Sequence, residues 1–146
     1  MKTSNTLLAL TTLLTSTHAL PSPTSYPPSH SKLPSWRITN FTEGCSPGGC
    51  VYSFAIASPS TLSPLNEPPF TTICTGTNVA NKMQACHNPA ITANEIPGPG
   101  EFTLVVQHEW TTREGVTYFV KGNRTLGIGG YPKGFLVEEM DVSAIA

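Results

Sequence analysis

The sequence predicts an all-β fold: a small antiparallel β-barrel or β-sandwich held by two disulfides. Three observations predict it. Short β-branched and aromatic segments alternate with period two. Runs of the chain's 14 prolines and 12 glycines separate them. All four cysteines, Cys45, Cys50, Cys74 and Cys86, lie downstream of a leader-like N-terminus. An even cysteine count in an oxidising compartment reads as a disulfide framework.

The leader comes first. Lys2 precedes an apolar core of Leu7, Leu8, Ala9, Leu10, Leu13 and Leu14, and Thr17 and Ala19 put small residues before a cut after Ala19. That is the pattern of a secretory signal peptide, residues 1–19, and its apolar run is too short to span a bilayer. Residues 20–34 are almost wholly Pro, Ser, Thr, His and Tyr, a composition too poor in apolar surface to offset ordering entropy. They are expected to form a disordered tail. The folded β domain is expected at residues 35–146.

Within it, Trp36 to Phe41 opens as a strand, and Tyr52, Phe54 and Ile56 alternate on one face of the next. Phe70 to Cys74 is a short third. The stretch Val79 to Cys86 is the one place that suits a short helix. In the segment 102–110, Phe102, Leu104, Val106 and Trp110 share a face, with Thr103, Gln107 and Glu109 opposite. Arg113-Glu114-Gly115 suits a hairpin turn into Val116 to Val120. Phe135 to Val137 begins the last strand. Pro59, Pro64, Pro68 and Pro69, then Pro97 to Gly100, then Gly127 to Gly130 with Pro132, are expected in loops or at edges.

The economical cysteine pairing is local: Cys45 with Cys50 around Ser46-Pro47-Gly48-Gly49, and Cys74 with Cys86. Crossed pairings stay open, since four cysteines permit three connectivities. A zinc site competes as a reading, but there is no Cys-x-x-Cys pair. Asn40-Phe41-Thr42 and Asn123-Arg124-Thr125 are N-glycosylation acceptors. Asn123, after Gly122, is expected at an exposed turn and is the favoured one. Asn40 lies in a strand and needs an outward side chain.

The search for chemistry excludes more than it finds. Eight Lys and Arg stand against nine Asp and Glu, with no basic run, so the footprint of a nucleic-acid binder is absent. No Gly-x-Ser-x-Gly elbow, His-Glu-x-x-His or phosphate-loop signature occurs, so no catalytic, metal or cofactor residue is assigned. His108 falls on the apolar face of its strand and reads as core. Glu109 and Glu114 flank the hairpin and read as solvated rim charges. Glu138-Glu139 reads the same way, as a charged strand end that discourages edge pairing. Trp36, Tyr52, Trp110, Tyr118 and Tyr131 suit a core more than a binding patch.

In order, Trp36-Arg37-Ile38 with Phe41, Tyr52-x-Phe54-x-Ile56, Phe70-x-x-x-Cys74 with Cys86 following, Phe102-x-Leu104-x-Val106, and Tyr118-Phe119-Val120-x-Gly122 resemble the fungal Alternaria alternata allergen 1-like family, the AA1-like domain. The resemblance spans most of residues 36–122. It implies a small secreted fungal protein with an antiparallel β fold and a Cys74–Cys86 bond. It also implies an allergen- or effector-type role without enzymatic activity, acting on an extracellular partner, protein or glycan. Allergen-type members carry further cysteines toward the C-terminus; here none follows Cys86, and Cys45–Cys50 is extra. The aromatic residue often seen just before the equivalent of Cys86 is replaced by Met83-Gln84-Ala85. With no odd cysteine left over, a monomer is expected. The other expectations are a carbohydrate-binding or cell-wall module, with Trp110 and Tyr131 exposed, and a small hydrolase using His108 with Glu109 or Glu114.

Overall fold

The computed structural model describes residues 35–58 and 65–146. The expected leader, the expected tail and the loop residues 59–64, with Pro59 and Pro64, lie outside the described residues. Eight strands follow: β1 Ser35–Ser46, β2 Gly49–Ala57, β3 Thr71–Thr77, β4 Gln84–Ala85, β5 Ile91–Gly98, β6 Glu101–Thr111, β7 Thr117–Gly127 and β8 Phe135–Ile145. They form one antiparallel sheet in the order β3-β2-β1-β8-β7-β6-β5-β4.

The two ends of that order meet. The His87 amide donates to the Ile73 carbonyl at 2.9 Å, and the Asn88 amide donates to Thr72 Oγ1 at 2.9 Å. The Cys74–Cys86 disulfide crosses the same seam. The sheet therefore curls into a nearly closed barrel. Cys45–Cys50 pinches the β1–β2 hairpin at one end. Both local pairings are thus the observed ones.

Period-two alternation builds the interior. Along β6, Phe102, Leu104, Val106, His108 and Trp110 point inward, and Tyr52, Phe54 and Ile56 do so along β2. Trp36 and Ile38 are buried on β1, but the next buried residue is Phe41. A bulge between Thr39 and Thr42, with Asn40 at φ 53°, supplies the residue that resets the phase. The rings then fill the barrel: Phe41 stacks on Phe102 at 5.6 Å and on Phe54 at 6.0 Å. The Phe41 amide donates to the Lys133 carbonyl at 3.0 Å, tying the β7–β8 connection to that bulge. A second bulge lies between β7 and β8 at Lys121 and Gly122. There a Cβ on residue 122 would sit 2.7 Å from the Glu138 carbonyl oxygen, so only glycine fits.

Three expectations are corrected. Ile91 to Gly98 forms a full strand, β5, so Pro97 and Gly98 end a strand and only Pro99-Gly100 turns, with Gly100 at φ 76°. Pro97 sits second from the strand end, where a missing ladder donor costs least. The stretch Val79 to Cys86 holds one 3₁₀ turn, Asn78–Ala80, and then β4, because Thr77 caps a single turn and Asn81 ends it in the left-handed region. Asn123 is not at a turn: it lies within β7, paired with Val105 and Glu138, exposed on the outer face. The hairpin at Arg113-Glu114-Gly115 is present, with Gly115 at φ 85°.

Candidate functional site

Two polar clusters break the apolar interior. The first gathers at Glu67, in the segment between β2 and β3. Its Oε1 accepts Trp36 Nε1–H at 3.1 Å and lies 2.6 Å from His108 Nδ1. Its Oε2 accepts the Ser58 hydroxyl at 3.3 Å. The Phe70 ring covers the imidazole edge-on at 4.5 Å. Glu67, His108 and Ser58 are all buried. A buried carboxylate is tolerable only when so supplied with donors.

Glu139, from β8, joins this cluster and corrects a further expectation. It is 3% exposed rather than a solvated strand end. It stands two residues after buried Val137 on β8, so strand alternation turns it inward, while Glu138 stays outside. Burial, and then the neighbouring Glu67 charge, push its carboxyl up to about 8. An unfolded glutamate releases its proton near 4.5. Between those values the native state binds more protons than the unfolded one, so Glu139 lowers stability as pH rises through this window. Glu139→Gln is expected to flatten that decline, which otherwise reaches about 1.4 kcal/mol per pH unit. Urea unfolding at pH 5 and pH 8 measures it; equal declines in both proteins would refute the assignment. Glu95, below, has the same sign up to about 7, so part of the slope remains.

The second cluster lies at the barrel end carrying the Cys45–Cys50 hairpin. Glu95 projects inward from β5, 1% exposed, and Asn78 Nδ2–H donates to its Oε1 at 3.1 Å. Its carboxyl is in hydrogen-bond contact with that of half-buried Glu43 from β1, which requires a proton on one of them. Burial first, then the Glu43 charge and hydrogen bond, push Glu95 up to about 7 against the pull of Asn78. Tyr52 crosses the interior to donate to the Ala93 carbonyl at 3.1 Å, and burial with the Glu95 charge pushes its phenol up to about 12. The Tyr131 hydroxyl is hydrogen-bonded to Glu43 and is also raised, mainly by burial. Beside this pair opens a depression of about 350 Å³ lined by Glu43, Cys45, Ile128, Gly129, Gly130 and Tyr131.

The residues weighed from sequence fall as follows. His108 is buried and Glu109 exposed, on opposite faces of β6, so they do not pair; Glu114 is exposed in its turn. In the Glu67 cluster the carboxylate stands between Ser58 and His108. The serine proton is therefore directed to Glu67, and no nucleophile–base contact forms. Glu43, Cys45 and Cys50 approach within 4.8 Å, but both sulfurs are in the disulfide and offer no thiolate to a metal. Trp36 and Tyr52 are core; Trp110 is 9% exposed and stacks on Tyr118 at 5.4 Å. Tyr131 is half-buried, edge-on to Phe41 at 5.1 Å. Asn40 and Asn123 are both exposed.

Sequence reading missed Glu67, Glu95 and the burial of Glu139. One kind of signal was present twice: in Ile91-x-Ala93-x-Glu95 and in Val137-x-Glu139 the glutamate stands in phase with the apolar positions. Among the described residues, no helix is long and apolar enough to cross a membrane. No family model matches the chain, and neither a curated protein nor a solved structure matches it.

Proposed function

We propose that the chain is a secreted, extracellular binding protein of the effector or allergen type that the AA1-like resemblance implies, acting without enzymatic chemistry. The observation that carries this reading is the filled barrel. Stacked rings occupy its interior, His108 is committed to Glu67, and the polar depression at Glu43 and Tyr131 lies outside on the rim. Two disulfides pin the hairpin beside that depression and the barrel seam, which suits a rigid surface outside the cell. The partner is a protein or glycan that meets the rim; glycans at Asn40 and Asn123 would sit on exposed strand positions.

Affinity capture from plant apoplastic fluid tests the reading, with the mature chain and its Tyr131→Ala variant as baits. A saturable partner retained by the first and lost by the second is expected. Turnover of a peptide or glycan substrate by the mature chain would overturn it. Retention on chitin, glucan or cellulose would favour a carbohydrate-binding module instead. Among the described residues the strongly exposed large apolar side chains are aliphatic, such as Val51, Val79 and Ile128, which gives sugar rings no flat platform.

A further inference from the structure

We propose that the rim depression beside Glu43 receives the basic side chain, lysine or arginine, of a protein partner. The proposal rests on the binding reading above and names the chemistry its surface recognises.

Three observations carry it. The first is the Glu43–Glu95 carboxyl pair. Two acids from β1 and β5 touch each other. Glu95 is 1% exposed, and apart from the contact with Glu43 its Oε2 has no hydrogen-bond partner among the described residues. A buried carboxylate oxygen facing a second carboxylate lacks a cation. None is supplied within the fold: among the described residues no lysine or arginine lies in an ion pair with Glu43 or acts on Glu95.

The second observation is the shape of the depression. Gly129 and Gly130 line it without side chains, and a Cβ on either would meet nothing within 4 Å. Ile128, 61% exposed, and the Tyr131 ring offer an apolar wall beside the Glu43 carboxylate. An alkyl stem lies on such a wall while its charged head reaches an acid.

The third is the donor set. A calcium ion takes about six to eight oxygens. The wall of the depression offers the Glu43 carboxyl and the Tyr131 hydroxyl, with Glu95 behind Glu43, and the Cys45 sulfur is spent in the disulfide. An ammonium or guanidinium group needs only two or three acceptors, so it suits the site better than the metal does.

A proton and a basic side chain compete for the same pair. The groups facing Glu95 are Glu43 from β1, Tyr52 from β2, neutral Asn78, and Tyr131 from the β7–β8 connection; both phenols are raised and stay protonated near neutrality. Glu95 is therefore the group that exchanges its proton there. Binding is expected to strengthen as pH rises through about 7.

The test titrates the isotopically labelled mature chain with acetyl-Gly-Lys-Gly-amide, its norleucine counterpart and calcium chloride, followed by amide NMR at pH 6 and pH 8. The lysine peptide is expected to shift Glu43, Gly129, Gly130 and Tyr131, with affinity about tenfold higher at pH 8. Norleucine should leave those amides in place. Glu95→Gln keeps the hydrogen bond from Asn78 and is expected to weaken binding and abolish its pH dependence. Glu43→Gln, on the half-buried rim, gives the same loss without touching the interior. Equal shifts with lysine and norleucine, no shift with either, or a response to calcium alone would each overturn the proposal. Partner capture that survives Glu43→Gln would leave the binding function standing and remove this inference.

Discussion

Glu67→Ala is expected to lower the free energy of unfolding by about 3–5 kcal/mol at pH 7, the range for removing one member of a buried polar or ionic pair. The side chain joins three elements. It accepts from Trp36 on β1, is paired with His108 on β6, and accepts from Ser58 at the end of β2. Truncation leaves an indole N–H, an imidazole and a hydroxyl without their acceptor in a space that Phe70 shields from water. Each orphaned group carries a desolvation penalty of about 1–3 kcal/mol. Ser58→Ala removes only one donor and is expected to lose about 1 kcal/mol. Urea unfolding followed by tryptophan fluorescence separates the two, since Trp36 sits in the cluster. A loss below about 1 kcal/mol for Glu67→Ala would show that water replaces the carboxylate and that the cluster does not organise this end of the barrel.

The paired substitution Cys74→Ser with Cys86→Ser is the second large effect, with an expected loss of about 3 kcal/mol. Chain entropy alone gives that figure for a bridge spanning 12 residues, against about 2 kcal/mol for the five-residue spacing of Cys45 and Cys50. Position adds to it. Cys74–Cys86 crosses the barrel seam, where the His87 amide to the Ile73 carbonyl and the Asn88 amide to Thr72 are the supporting hydrogen bonds. Cys45–Cys50 lies at a hairpin whose strands already pair residue by residue. Amide exchange should therefore accelerate at Ile73, Cys74 and His87 in the seam variant and stay near parental rates in the hairpin variant. Equal stability losses and equal exchange in the two variants would mean that the seam closes without its bridge.

Much of this fold is legible along the chain because strand burial is a local, period-two property. Tyr52, Phe54 and Ile56, and Phe102, Leu104 and Val106, declare their faces without reference to any other segment. β5 is less legible. Its Thr-Ala-Asn-Glu run has weak strand propensity, and its proline and glycine mimic a loop. What makes it a strand is pairing along its whole length with β6. Asn123 is misplaced for a related reason: Gly122 suggests a turn, whereas the glycine is there to admit the β8 backbone.

The polar clusters are legible hardly at all. Glu67 is 41 residues from His108 and 31 from Trp36. Nothing near a proline-rich loop tells a buried glutamate from a solvated one. Glu139 goes inside in phase with Val137, two residues before it on β8, but its raised carboxyl is set by burial and by Glu67 from another segment.

By itself, then, the sequence determined the all-β class, the faces of the central strands and the local spacing that makes Cys45–Cys50 and Cys74–Cys86 easy to form. Only the tertiary structure decided that the sheet closes on itself, that Glu67 lies inside it, and which partners Glu95 and Glu139 meet there. The physical reason is one of range. Alternation and short disulfide loops are set by neighbours in the chain, whereas a carboxyl group's burial and protonation are set by partners from other strands, which closure alone brings within reach.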